Sequence, residues 1–374
     1  MKGEVFTAVM IVKPPGKIRV EEAVLDSDLV STLRKNLPHA KLEVADRISE
    51  AVEPDPDVVE VVHFKGRFLK SCPGTRHYSC CGYRILHFGV QCNLACSYCV
   101  LQAYLNLPNL RLFGNTRELI AELESELDSH TERLHRIGTG EFTDSLLLDP
   151  WTEWTTRLVP LFAQRNNAVL ELKTKTNFIE NLRNLDHRGH TIASWSLNAG
   201  LIAKREEPRA ASLDERFHAA ARCASWGYPL AFHFDPMIEH EGWRKGYGEI
   251  LDRLFDAVDP SRVVWISLGA FRFMPDLKPL IRGKHPRSRY IHGEFIRGLD
   301  DKMRYFRDIR IELYSFMLER IRRVDPDLCV YLCMEGRDIW REVFGFSPED
   351  RGGLPNMLDS AVKERMNTGN DFAA

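Results

Sequence analysis

Residues 92–99 read CNLACSYC, so that Cys92, Cys96 and Cys99 form a C-x3-C-x2-C group. Three thiolates at this spacing can hold one four-iron cluster and leave its fourth iron open to a small molecule. Two alternatives remain open on the thiols alone. A structural zinc site would need a second pair of ligands, which Cys80 and Cys81 supply only with awkward geometry because they are adjacent. Three buried thiols without any metal are the other alternative.

Short β-branched or aromatic runs alternate with amphipathic segments through most of the chain. The predicted strands are 84–90, 136–142, 168–175, 191–198, 229–236, 263–270 and 329–335. The predicted helices are 116–129, 151–164, 178–185, 212–226, 243–258 and 302–323. Repeated βα units predict an α/β fold with a parallel sheet and right-handed crossovers, and this number of units favours a complete or partial barrel.

Polar residues follow the predicted strands at their carboxyl ends, where parallel α/β proteins carry their active groups. These residues are Glu141, Asp144, Lys173, Lys175, Ser196, Asn198, His233, Asp235, Ser267 and Glu335. Each one alone is equally explained as a helix cap or a loop hydrogen-bonding residue. Because all of them are predicted to meet on one rim, the sequence predicts a functional site there.

The cysteine group resembles that of the radical S-adenosylmethionine (radical SAM) superfamily, whose members hold a 4Fe-4S cluster on C-x3-C-x2-C. The resemblance implies a partial (β/α)6 TIM-like barrel and an open iron that binds the amino and carboxylate groups of SAM. One electron then splits SAM into methionine and a 5′-deoxyadenosyl radical. It also implies that Tyr98 lies near the adenine, and that a flavodoxin- or ferredoxin-type protein donates the electron.

Further motifs resemble the spore photoproduct lyase family. They are CSYCVLQ at 96–102, KTK at 173–175, SLNA at 196–199, GYPL at 227–230, EGW at 241–243 and CME at 333–335. The founding enzymes of that family reverse a thymine dimer in DNA by abstracting hydrogen from it. The resemblance implies a DNA or nucleotide substrate, and it implies that Lys175, Ser196 and Asn198 contact SAM, chiefly its carboxylate and ribose.

Two positions depart from the family pattern. In the repair enzymes a cysteine at the end of the second strand returns a hydrogen atom to the product radical, and a tyrosine after the third cluster cysteine helps to relay it. Here Glu141 lies near the expected cysteine, and Val100 follows Cys99. Neither donates a hydrogen atom readily, since carboxyl O–H and C–H bonds are much stronger than S–H bonds.

Glu141 follows Gly140 and resembles the Gly-Gly-Glu-like segment that holds the SAM ammonium in many radical SAM proteins. A carboxylate facing an ammonium in a closed site contributes a charge-assisted bond of roughly 1.5–3 kcal/mol. We therefore expect Glu141 to orient SAM.

Other cysteines lie outside the cluster group. Cys72, Cys80 and Cys81 precede it, and they either ligate an auxiliary cluster or pack as small hydrophobic residues. Cys329 and Cys333 end the last predicted strand. If Cys333 reaches the barrel mouth, it can serve as a substitute hydrogen donor.

A basic stretch occupies residues 272–323, with 14 Lys+Arg against 7 Asp+Glu and several interleaved aromatic residues. Basic residues beside aromatic ones suit a phosphate-bearing or nucleic-acid substrate, through Coulomb attraction and stacking. A solvated helix face with internally balanced charges is the alternative.

The chain has 374 residues, a formal charge of −2 and 44% hydrophobic residues. This balance is typical of a globular protein and excludes one that coats nucleic acid through its overall charge. No stretch approaches the roughly 18 apolar residues of a spanning helix, so we expect a soluble, cytoplasmic protein. We predict an N-terminal α+β appendage at 1–70 with a strand-like segment at 5–12, a radical SAM barrel at 71–340 and a C-terminal extension at 341–374.

Three functions are compatible with the sequence. The first is a lyase-like radical SAM enzyme that abstracts hydrogen from a nucleotide or nucleic-acid substrate. The second is a DNA photoproduct (thymine dimer) lyase that uses a different hydrogen donor, such as Cys333. The third is a non-catalytic iron-sulfur or zinc module that binds nucleic acid or carries electrons, and it differs from the first two in leaving SAM intact under reduction.

Overall fold

The structure is a computed structural model that describes residues 13–49, 55–72, 74, 77–105, 107 and 109–366. Its strands are β1 Lys17–Glu21, β2 Lys41–Ala45, β3 Val58–Val62, β4 Leu69–Ser71, β5 Arg84–Leu86, β6 Gly89–Val90, β7 Leu110–Phe113, β8 His135–Gly138, β9 Ala168–Thr174, β10 Thr191–Ser196, β11 Leu230–Met237, β12 Val263–Ala270, β13 Arg272–Phe273, β14 Ile296–Arg297, β15 Met303–Arg304 and β16 Cys329–Leu332. The predicted strand at 5–12 lies outside the described residues.

Helices cover the faces of the sheets. The α-helices are α1 Asp28–Asn36, α2 Leu101–Tyr104, α3 Thr116–Ser129, α4 Asp149–Thr152, α5 Trp154–Ala163, α6 Gly200–Glu206, α7 Leu213–Ser225, α8 Trp243–Ala257, α9 Leu277–Lys284, α10 Arg307–Val324, α11 Arg337–Phe344 and α12 Leu354–Arg365. Short 3-10 helices lie at Glu22–Val24, Glu180–Leu182, Pro260–Arg262, Tyr290–His292 and Pro348–Arg351. In the part of the chain that the structure describes, none of the helices has the length and apolar character that crossing a membrane requires.

The larger sheet has eight strands in the order β16-β12-β11-β10-β9-β8-β5-β4. All neighbours pair in parallel except β4, which is antiparallel to β5. Among the described residues the two edge strands do not pair with each other, so the sheet is an open, partial barrel. The predicted α/β class and parallel sheet are therefore confirmed.

The strands of this sheet are long apolar runs because helices or neighbouring side chains cover both of their faces. All residues of β12 are buried, and β9 and β10 are buried along almost their whole length. Fully buried aromatic residues such as Trp195 and Phe232 fill the space inside and around the strands. This packing gives the carboxyl ends of the strands a rigid frame.

A second sheet has the order β2-β1-β3-β7-β6. Strands β1, β2 and β3 come from the predicted N-terminal appendage, whereas β6 and β7 come from beyond residue 70. Helix α11 likewise continues across the predicted boundary at 341. The domain boundaries at 70 and 341 stay predictions, and the second sheet joins chain segments from both sides of the first boundary.

The predicted strand 84–90 is divided between the two sheets. Its first part is β5 in the barrel, and its second part is β6, which pairs with β7. Gly89 permits this change, because a Cβ atom there would lie 2.8 Å from the carbonyl oxygen of Arg111. The chain therefore enters residues 92–99 from a point where both sheets meet.

The predicted helix 178–185 is wrong except for one short 3-10 turn, Glu180–Leu182. The segment contains asparagines, whose side chains favour turns over helix interiors. One of them, Asn181, donates from Nδ2 to a carboxylate oxygen of Asp149 at 3.0 Å. That hydrogen bond fixes the segment to the start of α4 in place of a regular helix.

Candidate active site

A cavity of about 300 Å³ opens at the carboxyl ends of the barrel strands. It is lined by both acidic and basic side chains, by hydroxyls and by thiols. The lining includes Cys72, Cys81, Cys92, Cys96, Cys99, Tyr98, Glu141, Asp144, Glu171, Lys173, Lys175, Ser196, His233, Asp235, Ser267, Arg272, Lys302 and Cys333. Most of the polar rim predicted from the strand ends therefore meets in one place.

The loop that carries the cluster-motif cysteines is held in an uncommon backbone conformation. Gln91 has φ 75° and Ala95 has φ 56°, which is the left-handed region that non-glycine residues rarely adopt. The Gln102 side chain donates to the carbonyl oxygens of Cys96 and Ser97 at 3.1 and 3.0 Å. Such strain persists only where surrounding contacts hold the chain, and it is common at functional sites.

Ser97 anchors this loop to the end of α6. Its hydroxyl donates to a carboxylate oxygen of Glu206 at 2.6 Å, and its backbone N–H donates to the Glu206 carbonyl at 2.9 Å. The Tyr290 hydroxyl lies 3.0 Å from the Ser97 hydroxyl. The loop is therefore fixed on two sides by buried hydrogen bonds.

The thiols of Cys92, Cys96 and Cys99 are partly or fully buried and form no disulfide. Burial raises the pKa of Cys96 to about 12 and also raises the pKa of Cys92 and Cys99. Thiolates in this place therefore need a bound cation, and soft thiolates favour iron-sulfur clusters or zinc.

The three thiols are arranged for a cluster rather than for a single metal ion. Among the residues that the structure describes, no three His, Cys, Asp or Glu side chains are arranged so that they could hold a metal ion. A four-iron cluster binds each thiolate on a separate iron, so its ligands surround a volume and need not meet at one point. Three unpaired thiols around one cavity fit that requirement.

Tyr98 is buried and donates its hydroxyl hydrogen bond to Glu207. Glu207 also pairs with Arg216, and Arg216 donates to the Ser196 carbonyl at 3.0 Å. Burial alone would raise the pKa of Glu207, but Arg216 and Lys175 lower it below its usual value. The network therefore connects the cysteine loop to the end of β10 through a buried ion pair.

Lys175 lies beside the cysteine loop. Its ammonium nitrogen is 5.7 Å from the centre of the Tyr98 ring, and its backbone N–H donates to Asp144 at 2.8 Å. Asp144 also accepts hydrogen bonds from the backbone N–H groups of Leu146 and Leu147 at 3.0 Å. Asp144 thus fixes the backbone at the end of β9, while the Lys175 ammonium faces the cavity.

Glu141 lines the cavity and forms an ion pair with Lys173 through Oε1. Burial alone would lower the pKa of Lys173, but Glu141 raises it above its usual value. Within the described residues the second oxygen of Glu141, Oε2, accepts no hydrogen bond. Glu141 therefore has one oxygen available for a cation in the cavity.

Ser196 lines the cavity, as predicted, but Asn198 and Glu335 do not. The Asn198 amide donates to the Pro236 carbonyl at 2.8 Å and accepts from the Tyr247 hydroxyl at 2.8 Å. Glu335 is buried with Arg310 and accepts from the Tyr314 hydroxyl at 3.0 Å. These two side chains stabilise the strand ends from outside the cavity.

Two further charged pairs, one buried and one partly buried, form part of the cavity wall. His233 lies 2.6 Å from Glu171. Arg272 pairs with Asp235 at 3.1 Å and places its Nη2 3.3 Å from the Cys333 sulfur. The wall therefore carries charges of both signs, which suits a polar, zwitterionic ligand.

A larger groove, of about 1020 Å³, lies at the opposite end of the barrel. Its lining includes His187, Gly227 and Asp259, which precede β10, β11 and β12. Parallel barrels carry their active groups at the carboxyl ends of the strands, so this groove is not the candidate site.

Sequence reasoning missed Glu207 and Arg216. Arg216 lies on the buried face of α7 with Leu213 and Phe217, and an arginine within an apolar helix face is a signal for a buried ion pair. Sequence reasoning also left open where Cys72 and Cys81 lie. Both line the cavity together with Cys333, whereas Cys80 is exposed.

An open parallel barrel whose cysteine loop follows its first parallel strand defines a radical SAM protein. The family model of spore photoproduct lyase matches residues 79–305, which is more than half of the chain. The chain belongs to the spore photoproduct lyase family, and the predicted resemblance is confirmed.

Related sequences support this family assignment. A spore photoproduct lyase of Bacillus subtilis (strain 168) is 29% identical over 206 residues, which cover 54% of this chain and 60% of the relative. One of Clostridium acetobutylicum is 21% identical over 217 residues, which cover 58% of this chain and 62% of the relative. The chain thus spans about three fifths of the length of these relatives.

A solved spore photoproduct lyase mutant, with bound AdoMet and dinucleoside spore photoproduct, superposes with a TM-score of 0.76 at 22% identity. The superposition covers 86% of this chain and 100% of that chain. This likeness shows a shared fold and confirms the predicted partial TIM-like barrel.

Proposed function

We propose that the protein is a radical SAM enzyme that abstracts hydrogen from a nucleotide or nucleic-acid substrate. Cys92, Cys96 and Cys99 would hold a 4Fe-4S cluster, which, when bound and reduced, supplies the electron that splits SAM into methionine and a 5′-deoxyadenosyl radical. The observation that carries the proposal is that these thiols and the predicted SAM contacts Glu141, Lys175 and Ser196 line one cavity. A flavodoxin- or ferredoxin-type protein in the cytoplasm would donate the electron.

The cavity carries one acidic and one basic side chain that suit the ammonium and carboxylate groups of SAM. The free oxygen of Glu141 would accept from the ammonium of SAM, and the Lys175 ammonium would pair with its carboxylate. Tyr98 would not donate a hydrogen bond to SAM, because its hydroxyl hydrogen already goes to Glu207. Its ring, which lies beside Lys175, would instead contribute an apolar face. Asn198 would act indirectly, by fixing the backbone beyond Ser196.

The basic stretch supports a phosphate-bearing substrate over only part of its length. Arg282, Lys284, Arg287 and Arg289 are exposed, and none has a carboxylate partner within the described residues. Most cations of α10 instead pair with acidic residues, as Arg320 does with Asp252 at 2.6 Å, and Arg322 donates to the Leu328 carbonyl. The unpaired cations of 282–289 precede Tyr290, which contacts the cysteine loop, so an anionic strand bound there would lie next to the cavity.

The test is cleavage of SAM by the reconstituted protein. The full chain is loaded with iron and sulfide without oxygen, dithionite and SAM are added, and 5′-deoxyadenosine is measured by chromatography. Cys92→Ala, Cys96→Ala and Cys99→Ala should each abolish the product, while Cys223→Ala, on the buried face of α7 and outside the cavity lining, should leave it unchanged. An intact cluster that yields no 5′-deoxyadenosine would favour a non-catalytic iron-sulfur module.

The second candidate function is a DNA photoproduct lyase with Cys333 as hydrogen donor. It is favoured by the position of Cys333 in the cavity wall. Glu141 lies near the position expected for the family's donor cysteine, and Val100 follows Cys99 where the family has its relay tyrosine. In this step the S–H bond of Cys333 breaks and its hydrogen atom goes to the carbon radical of the product. The remaining sulfur radical regains one electron from the flavodoxin- or ferredoxin-type donor and one proton from water.

Recovery of thymine from an oligonucleotide that contains the spore photoproduct tests this second candidate. Wild-type protein should restore the two thymines within the oligonucleotide, and Cys333→Ala should lose that product while still forming 5′-deoxyadenosine. SAM cleavage without any restored thymine in the oligonucleotide would reject the second candidate and leave the first one standing.

A further inference from the structure

Four cysteines outside the cluster motif meet where the barrel stays open. Cys72, Cys81 and Cys333 line the cavity, and Cys80 is exposed to solvent. Within the described residues none of them forms a disulfide. We refer to these four residues as the seam thiols, because Ser79, which precedes β5, contacts Glu335, which follows β16, at this point.

The backbone brings Cys81 towards Cys333. The N–H of Ser79 donates to the carbonyl of Glu335 at 3.1 Å. Two residues forward from Ser79 is Cys81, and two residues back from Glu335 is Cys333. Each of the two thiols therefore lies two residues from this hydrogen-bonded contact, and both line the same cavity.

The electrostatics of the seam thiols agree with this proximity. A hydrogen bond with Cys80 and burial raise the pKa of Cys81, and the nearby Cys333 and Cys72 raise it further. Burial and then the Asp235 carboxylate raise the pKa of Cys333. The thiols in the cavity wall are therefore protonated at neutral pH.

Cys80 differs from the other three. A hydrogen bond from Cys81 lowers the pKa of Cys80 to about 6. Its side chain is exposed, so that a thiolate at this position is accessible from solvent. An exposed thiolate is the form that attacks disulfides and is attacked in turn once oxidised.

We propose that the seam thiols are a thiol–disulfide exchange site, in which Cys81 and Cys333 form a reversible disulfide in the cavity wall and Cys80 exchanges it with solutes. This inference goes beyond the proposed function, because it requires neither the cluster nor SAM. A low-molecular-weight disulfide such as oxidised glutathione is the oxidant: it accepts two electrons from the Cys81 and Cys333 thiols and becomes two thiols.

Reduction proceeds in three exchanges. The Cys80 thiolate attacks the sulfur of Cys81, forms a Cys80–Cys81 bond and releases the thiolate of Cys333, which takes a proton. A dithiol in solution attacks the exposed sulfur of Cys80 and releases Cys81. The second thiol of the dithiol then closes its own disulfide and releases Cys80, so that two cysteines are reduced and one dithiol is oxidised.

This exchange would connect the cavity to the redox state of the solvent. A reduced Cys333 presents an S–H bond to the cavity, whereas the disulfide presents none. For the second candidate function, the hydrogen donor would therefore be present only under reducing conditions. The exchange itself can be measured independently of that function.

The experiment uses the full chain with its cluster reconstituted, and it equilibrates the protein without oxygen in mixtures of reduced and oxidised glutathione. Free thiols are then alkylated and the protein is cut with trypsin. Trypsin places Cys80 and Cys81 in peptide 77–84, Cys329 and Cys333 in peptide 324–337, and the cluster cysteines in peptide 85–111. Mass spectrometry should show peptide 77–84 linked to 324–337 in the oxidised protein, and dithiothreitol should remove the link.

Three variants identify which cysteines form the disulfide and which one exchanges it. Cys333→Ser should abolish the linked peptide, whereas the matched control Cys329→Ser, in the same peptide, should retain it. Cys80→Ser should still form the link but should lose it to dithiothreitol at least about tenfold more slowly, because no exposed thiolate remains to begin the exchange.

Three results would overturn the proposal. They are the absence of a link in the wild-type protein at every glutathione ratio, a link that depends on Cys329, and a link from 77–84 to the Cys72 peptide 71–76. An iron content of about eight per chain that falls when Cys72 or Cys81 is replaced would also overturn it, by assigning these thiols to an auxiliary cluster. None of these readouts depends on SAM cleavage.

Discussion

Replacement of Arg216 by methionine should destabilise the protein strongly. The Arg216 and Glu207 side chains are 1% and 0% exposed, and Arg216 also donates to the carbonyls of Ala211 and Ser196 at 2.9 and 3.0 Å. Methionine is close in length but leaves the Glu207 carboxylate buried without its cation and leaves both carbonyls without that donor. Removal of one partner from a buried ion pair costs about 3–5 kcal/mol.

This cost can be converted into a change in Tm. An unfolding entropy of about 2.1 cal/mol/K per residue gives roughly 0.8 kcal/mol/K for the whole chain, so Tm should fall by about 4–6 °C. The assay is thermal unfolding of the full chain followed by circular dichroism. A matched control is Arg222→Met in the same helix, since Arg222 pairs with the exposed Glu180 and such pairs contribute only about 0–1 kcal/mol.

The reasoning also predicts partial rescue. Adding Glu207→Gln to Arg216→Met removes the uncompensated charge, so the double variant should regain part of the lost Tm. If Arg216→Met lowered Tm no more than Arg222→Met, the account of the buried pair would be refuted. A double variant less stable than Arg216→Met would also contradict it.

Three further predictions concern pH, SAM and nucleic acid. The pKa of Glu207 is lowered in the folded state. The Tm difference between wild type and Glu207→Gln should therefore be constant at neutral pH and shrink as the pH falls below about 4.5. A Tm difference that grows on acidification would contradict this prediction. Glu141→Gln should weaken SAM binding by about 10- to 100-fold in calorimetry, because it removes a charge-assisted bond, and equal affinity would reject Glu141 as the ammonium partner. Replacing both Arg287 and Arg289 by alanine should weaken binding to a DNA duplex and flatten its salt dependence in fluorescence anisotropy, whereas Arg320→Ala, which removes a paired cation, should not.

Much of the fold is predictable because its elements have strong local patterns. The prediction 263–270 matches β12, and the prediction 116–129 matches α3. A strand buried on both faces is a continuous apolar run, and a helix packed on a sheet has an apolar stripe, so neighbouring residues suffice to identify both. The cysteine loop is predictable for a different reason, since the ligands of one cluster lie close together in the sequence.

The remaining features depend on contacts between distant segments. Residues 84–90 have the local pattern of a single strand, and only their pairing with β4 and β7 divides them between two sheets. The presence of both Cys81 and Cys333 in one cavity wall depends on the curvature of the whole barrel, which no local pattern encodes. Asn198 shows the converse, because its type and place at a strand end suggest a ligand contact, whereas its amide is used by Pro236 and Tyr247.

The central claim is that three thiolates leave one iron of a cluster open to SAM. Electron paramagnetic resonance of the anaerobically reconstituted and reduced protein, before and after addition of SAM, tests it most directly. The account predicts the spectrum of a reduced 4Fe-4S cluster that changes when SAM binds, and that is absent from Cys96→Ala. A cluster spectrum that SAM does not alter, or zinc in place of iron at these thiols, would contradict the account.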